Sequence, residues 1–279
     1  VEVVILYPSG KVSGVQEKQL TTLGNNIHAL EVNGSFDDCQ RMVKLAFMDD
    51  ELNKKLFLTS ANSINVARWL PQQFYYFFAY QQWLQKDNPP VIAVPSGNFG
   101  NICAGIVAYR SGLPVNHFIA ACNANDAVPD YFKSGEYAPK LPKSTMSNAM
   151  DVGDPSNFVR MLQLFDNEYG KLKQFISSDS ISDETTKKTI LEVDREFNYL
   201  PDPHGAVAYS ALKDYLSEKK DLKGIFLETA HPIKFYDVME PLIGRKIELP
   251  ESVREIMTKQ KLSTKITADY QQLKDYLIS

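Results

Sequence analysis

The sequence predicts an α/β protein whose parallel sheet is covered by helices. Two observations carry that expectation. Short β-branched, apolar runs alternate with helical stretches over residues 1–60, the rhythm of strands joined by crossover helices. Residues 91–121 then form a compact strand–loop–helix–strand unit, the strongest local signal in the chain. The bulk composition agrees, with 44% hydrophobic and 23% charged residues in a chain of 279, an ordinary globular mixture.

In order, residues 1–6 read as a strand broken by Pro8-Ser9-Gly10, and 15–23 as a helix stopped by Gly24 as a C-cap glycine. Residues 27–32 form a second strand ended by Asn33-Gly34. Residues 37–47 form a helix with Met42, Val43, Ala46 and Phe47 near one face. A polar loop at 59–63 precedes an aromatic helix over about 64–84, which Pro71 either kinks or truly starts. Asp87-Asn88-Pro89-Pro90 is a break. A buried strand at 91–94, a glycine-bearing turn at 95–101, a helix at 102–109 ending near Gly112 and a strand at 118–121 follow. Residues 122–155 show little periodicity and read as a long irregular insertion with a short helix near 129–133; long loops of this kind often carry function. Asp154-Pro155 reads as an N-cap and first helical residue. Helices are expected at about 155–172, 183–197 and 204–218, a strand at 224–227, and beyond it helical segments separated by Pro241, Gly244 and Pro250.

Several functional classes are set aside. The net charge of −4 is spread along the chain, with no basic block for nucleic acid. No apolar run reaches the ~18 residues of a membrane span; the aromatic run at 74–80 is too short. Cys39, Cys103 and Cys122 are widely spaced, which fits reduced core thiols and a cytoplasmic location, and no cysteine or histidine pattern suggests a metal. The chain lacks an initiator methionine and opens inside an apolar strand, so a preceding segment is expected.

The turn Ser96-Gly97-Asn98-Phe99-Gly100-Asn101 is the candidate site. A strand feeding a helix through glycines makes an anion cradle, because the first helical N–H groups lack intrahelical partners and sit at the positive end of the helix dipole. Gly97 and Gly100 clear space for an anion to approach the backbone, and Ser96, Asn98 and Asn101 offer further donors. The turn has neither the Gly-Lys-Ser/Thr end of a nucleotide loop nor a dinucleotide Gly-x-Gly-x-x-Gly. Its chemistry alone leaves a structural turn and an anion site both open.

Five stretches, in order, resemble the threonine synthase family. They are Leu6-Tyr7-Pro8-Ser9-Gly10-Lys11-Val12-Ser13 with Gln16-Glu17-Lys18, Ser60-Ala61-Asn62-Ser63-Ile64-Asn65, Pro95-Ser96-Gly97-Asn98-Phe99-Gly100-Asn101, Ser147-Asn148-Ala149-Met150-Asp151 and Thr229-Ala230-His231-Pro232. The resemblance spans essentially the whole chain. It implies a fold-type II enzyme, similar to the tryptophan synthase β-subunit, dependent on pyridoxal 5′-phosphate (PLP). It also implies conversion of O-phospho-L-homoserine and water to L-threonine and phosphate. Residues 1–58 would be what remains of a small α/β domain, and 59–279 the large cofactor-binding domain with the insertion at about 122–155. Gly97, Asn98, Phe99, Gly100 and Asn101 would bind the PLP phosphate, and Thr229 the pyridine nitrogen. Glu228 is the alternative, disfavoured because strand neighbours face opposite ways. Asn62, Ser63, Asn65 and Arg68 are candidates for substrate contacts, Arg68 for its bidentate match to phosphate; the other reading is a capped helix start with Arg68 in solvent. Lys11, Ser13, Lys18, Asn148 and Asp151 are weaker candidates. His231 is a base or a turn residue, and His204 a helix-start residue.

Family members hold PLP through a lysine in a Phe-Lys-Asp segment and receive the substrate carboxylate on a Ser-Gly-Asp-Thr-Gly loop. Both precede the stretch resembled here, and neither occurs in this sequence. The expectation is a piece of a longer enzyme, inactive by itself and carrying no catalytic residue of its own. A non-catalytic ligand-binding relative and another fold-type II lyase, a dehydratase or β-replacement enzyme, are the alternatives. The oligomeric state is not legible.

Overall fold

The computed structural model describes residues 1–279. They form two compact units, one built from residues 1–59 and 233–279, the other from 60–232. The sequence division placed 233–279 with the larger part. In the structure these residues complete the first unit.

The first unit begins with strand β1 (Val3–Pro8), helix α1 (Gly14–Thr21), β2 (Ile27–Asn33), α2 (Phe36–Met48) and α3 (Asp50–Lys55). Capping boxes start both longer helices: Ser13 pairs with Gln16, and Ser35 with Asp38, which satisfies backbone donors left bare at a helix start. α1 stops at Thr22, two residues before the expected glycine, and Gly24 serves the following turn with φ +66°.

The second unit begins with a 3₁₀ turn at Val66–Arg68, then α4 (Trp69–Gln72) and α5 (Phe74–Gln81). The long aromatic helix is thus three short pieces, with Pro71 inside the first turn of α4, where its missing N–H matters least. There follow β3 (Val91–Pro95), α6 (Gly100–Arg110), β4 (His117–Cys122), α7 (Ala127–Ser134), α8 (Phe158–Leu164), α9 (Tyr169–Phe175), β5 (Ile176–Ser180), α10 (Asp183–Phe197), α11 (Pro203–Ser217) and β6 (Gly224–Phe226). The sheet order is β5-β4-β3-β6, all parallel. Every residue of β3 and β4 is buried, as central parallel strands covered on both faces must be. Their side chains alternate between two cores. Ile92, Val94, Phe118 and Ala120 pack with Ile102 and Ile106 of α6, whereas Val91, Ala93, Ile119 and Ala121 pack with Val207, Ala208 and Ala211 of α11.

Two expectations fail here for physical reasons. The helix expected over 155–172 is α8 and α9, separated by Asp166 and Asn167 at left-handed φ of 59° each. Asp154-Pro155 does not cap it, because Ser156 donates its N–H and hydroxyl to Asn98 Oδ1 at 2.7 and 2.9 Å. That holds residues 154–157 out of helix. Strand β5 went unread since its sequence, Ile-Ser-Ser-Asp-Ser, lacks an apolar alternation.

The first unit is completed by α12 (Tyr236–Ile243), α13 (Glu251–Thr258), β7 (Thr264–Thr267) and α14 (Tyr270–Ile278). β7, in a stretch read as helical, adds to a parallel sheet of order β1-β2-β7. A charged knot ties this unit across sequence: Lys261 Nζ donates to Glu17 Oε1 at 2.6 Å and to Glu31 Oε2 at 2.7 Å, while Ser9 Oγ donates to Glu31 Oε1 at 2.6 Å. No helix in the protein is long and apolar enough to cross a membrane.

Glu31 is buried, yet hydrogen bonds from Lys261 and Ser9 lower its pKa from 4.5 to about 2. A depressed folded value means the stabilisation is whole above 4.5 and is lost as pH falls toward 2. Lys261→Met leaves Glu31 buried without its cation. The expected loss is about 1–3 kcal/mol at neutral pH, together with a flatter stability profile across that acid window. Urea unfolding at a series of pH values measures both; an unchanged midpoint and profile would refute the role given to Lys261.

Candidate functional site

β3 delivers the candidate loop at the carboxyl end of the central sheet, where open parallel sheets bind ligands. Ser96 is buried and anchors the loop base: its N–H donates to the Ala121 carbonyl and its Oγ to the Val94 carbonyl, both at 2.8 Å. Phe99 takes left-handed φ of 61° at the N-cap of α6. That backbone is unfavourable for a residue with a Cβ by roughly 1–2 kcal/mol, and burial of the ring against Phe158, edge to face at 6.0 Å, offsets it.

The turn leaves the backbone N–H groups from Gly97 through Ile102 without an acceptor in the protein. They lie at the start of the eleven-residue α6, so the helix dipole adds to their pull on an anion. Two glycines are required by contact. A Cβ on Gly97 would lie 2.6 Å from Met150 Cα, and one on Gly100 2.8 Å from Ser63 Cβ.

The side-chain donors read from the sequence are mostly occupied internally. Ser96 Oγ is taken as above. Asn98 Nδ2 donates to Ser63 Oγ at 2.8 Å while its Oδ1 accepts from Ser156. Asn101 Oδ1 and carbonyl both accept from the buried Tyr76 hydroxyl, at 2.9 and 2.8 Å. The cradle is therefore chiefly backbone, with the side chains bracing it.

A cleft of 290 Å³ opens over the loop. Asn62, Ser63, Arg68, Gln72, Ala149, Met150, His204 and Thr229 line it together with residues 97–101. It carries no carboxylate and no lysine, and Arg68 is exposed with no ion pair in the protein. Parallel pairing of β6 beside β3, with Leu227 N–H donating to the Ala93 carbonyl at 3.1 Å, brings Thr229 to the same edge. Glu228 turns the other way, against Gly205 and Asp202. A larger, mostly apolar groove of 760 Å³ lies in the first unit, with Glu2 in its lining and no glycine turn.

The structure does not bring every sequence candidate here. Asn65 caps the Val66–Arg68 turn through Ala67 N–H and does not line the cleft. Asp151 accepts from Asn123, Asn125 and Thr145, bracing the insertion, and neither it nor Asn148 lines the cleft. His231 is likewise outside the lining. Lys11, Ser13 and Lys18 belong to the first unit, where Ser13 caps α1. Sequence reasoning missed Gln72, Ala149 and Met150 as lining residues; the Ser147–Asp151 motif was the available signal for the last two.

A family model described as pyridoxal-phosphate dependent enzyme matches residues 1–225, and one described as threonine synthase, C-terminal, matches residues 205–277. The threonine synthase of Serratia marcescens is 47% identical over 279 residues, 100% of this chain and 64% of that protein. The crystal structure of threonine synthase from Escherichia coli superposes with a TM-score of 0.91 at 44% identity, covering 100% of this chain and 64% of that one. A PLP-bound threonine synthase from Brucella melitensis gives 0.87 at 33% identity, covering 99% and 64%. The chain thus spans 64% of the length of each of these relatives.

Asn98 staples the loop to both Ser63 and Ser156. Asn98→Ala should lower stability by about 1–2 kcal/mol in urea unfolding. Asn98→Asp keeps the acceptor for Ser156 and should recover part of that loss. If Asn98→Ala unfolds with the wild-type midpoint, the staple has no energetic role.

Proposed function

The chain belongs to the pyridoxal-phosphate-dependent enzyme family, and from that premise we propose that it carries the cofactor-phosphate site of a threonine synthase. Its parallel sheets flanked by helices are those of the fold-type II enzymes. The proposed reaction converts O-phospho-L-homoserine and water to L-threonine and phosphate. The observation that carries the reading is the row of bare N–H groups from Gly97 to Ile102 beside a cleft without acidic side chains. Those donors suit a dianionic phosphate monoester, so the residues present fit PLP.

When bound, the cofactor supplies an electron sink for charge developing on the substrate. The chain's own residues bind and orient. Gly97, Asn98, Phe99, Gly100 and Asn101 hold the cofactor phosphate by their backbone N–H groups. Thr229 meets the pyridine nitrogen with a neutral hydroxyl, which favours protonation there less than a carboxylate would. Arg68, with Asn62 and Ser63, receives the substrate's phosphate on the exposed side of the cleft; Arg68 has the planar geometry for two parallel bonds to it. Asn65 acts only by capping the turn that presents Arg68.

The cleft lining contains no lysine, so the 279 residues alone are proposed to bind and not to turn over. A non-catalytic relative that binds the same ligand would share that behaviour. The coding sequence upstream separates the two readings: a Phe-Lys-Asp segment there favours the enzyme.

Titration of the chain with PLP and with pyridoxal tests the phosphate site. PLP should bind at least ten-fold more tightly than pyridoxal, and Gly97→Ala should remove that advantage. Equal binding of the two, or an unaffected Gly97→Ala, would show that the loop is not a phosphate cradle. Incubation with O-phospho-L-homoserine and PLP should release no phosphate above the buffer rate, and borohydride should label no single lysine. Enzyme-like release would overturn the division of labour proposed here.

A further inference from the structure

Behind the cleft wall, three titratable side chains with no part in the reading above pack together. Asp202 caps α11, its Oδ1 accepting the N–H of His204 at 2.9 Å and lying 2.5 Å from Nδ1 of the same imidazole. The side chains are 0% and 4% exposed. The other ring nitrogen, Nε2, receives the N–H of Ala149 at 3.3 Å. A backbone N–H can only donate, so Nε2 carries the lone pair and Nδ1 the proton. This neutral tautomer is what the cleft sees, since His204 is one of its lining residues.

Glu228 closes the cluster from β6. Its Oε2 accepts the N–H of Asp202 at 3.3 Å. Its Oε1 lies where a Cβ on Gly205 would come within 1.9 Å, so only glycine leaves room for it. Asp202 Oδ2 and Glu228 Oε1 are both buried and neither has a donor. One proton shared between them satisfies both atoms, whereas two adjacent buried carboxylates would repel. Burial and the neighbouring Asp202 push Glu228 well above the usual carboxyl range. Burial would also raise Asp202, but its hydrogen bonds with His204 and Glu228 outweigh that and keep Asp202 low. The proton therefore resides on Glu228. Tyr199 is the other titratable group facing the pair, and burial with the two carboxyls raises its phenol.

We propose that Asp202, His204 and Glu228 form a positioning relay for the phosphate loop. Glu228 donates its proton to Asp202, Asp202 fixes the Nδ1–H tautomer of His204, and His204 holds the Ala149–Met150 turn against Gly97. The contact at the end of the relay is tight, because the Ala149 carbonyl and Met150 Cα are the atoms a Gly97 Cβ would strike. The relay also keeps the total charge of the two carboxyls at one rather than two beside an anion site. Its role in cofactor binding rests on the phosphate reading of Gly97–Asn101; its internal protonation does not.

Three structural readouts and one of binding on the 279-residue chain test the relay. ¹⁵N spectra of labelled histidine should find His204 at neutral pH protonated on Nδ1 and bare on Nε2, and Asp202→Ala should release that preference. Infrared spectra should contain a protonated-carboxyl stretch at neutral pH that Glu228→Gln removes while the tautomer persists, since the amide N–H can serve Asp202 Oδ2. Amide exchange at Ala149 should accelerate at least ten-fold in His204→Ala and less in His204→Gln, whose amide oxygen can accept the same N–H. PLP affinity should fall at least ten-fold in His204→Ala. An Nε2–H tautomer, the absence of the acid band, or Ala149 exchange untouched by His204→Ala would each overturn the proposal. A wild-type chain that shows all three structural signatures and fails to bind PLP would instead sink the cofactor reading and leave the relay as a brace of the loop.

Discussion

The second unit is organised around a row of backbone N–H groups that the protein leaves unpaired. Buried or half-buried donors without acceptors are costly, and folded proteins keep few of them. Here they occur consecutively, from Gly97 to Ile102, where the dipole of α6 also concentrates positive potential. The surrounding residues make sense as the means of holding that turn in shape. Ser96 pins its entrance to β3 and β4, Asn98 ties it to Ser63 and Ser156, and the Phe99 ring is buried to sustain a left-handed backbone. None of these side chains needs to touch an anion to matter for the binding proposed at this turn.

Parallel pairing explains why residues far apart in sequence meet at the turn. β3 and β6 are neighbours with aligned carboxyl ends, so the segment after each emerges at one rim of the sheet. The alternation of strand neighbours then sorts Glu228 from Thr229. One carboxyl enters the wall, where Asp202 and Gly205 accommodate it, and one hydroxyl reaches the cleft. Placing the carboxyl in the cleft would set a negative charge beside the proposed anion site.

The parts of this arrangement legible in the sequence are those governed by local chemistry. β3 and β4 read correctly because strands covered on both faces are unbroken apolar runs, and the glycine turn between β3 and α6 reads as a turn whose local chemistry leaves a structural role and an anion site both open. α10 and α11 fall where helices are expected, and the structure shows them started by Ser182 and by Asp202 with Pro203. What was not legible depends on partners distant in sequence. Asp154-Pro155 is a sound helix start that Asn98 overrides with two hydrogen bonds. β5 and β7 are edge strands rich in serine, threonine and lysine, which form because a neighbouring strand offers its free edge. His204 reads as a helix-start residue and is one; its second bond, to Ala149, crosses 55 positions and leaves no mark in sequence.

That second bond gives the site a chemical logic that charge counting misses. An anion cleft gains from nearby cations, and the cleft proposed for that role has a single exposed arginine at its rim. Deep inside, it is built from neutral donors, with the acidic groups behind the wall reduced to one shared charge and screened from the cleft by an uncharged imidazole. A neutral, hydrogen-bonded interior holds an anion through fixed dipoles that do not rearrange when it arrives, the arrangement that makes preorganised sites effective. A lysine or second arginine in the same place would bind through a mobile side chain whose ordering opposes binding. The glycines, the strained Phe99 backbone and the buried Asp202–His204–Glu228 cluster are then parts of one requirement. Under the proposed role, the dipoles must already point at the anion's position before it is there.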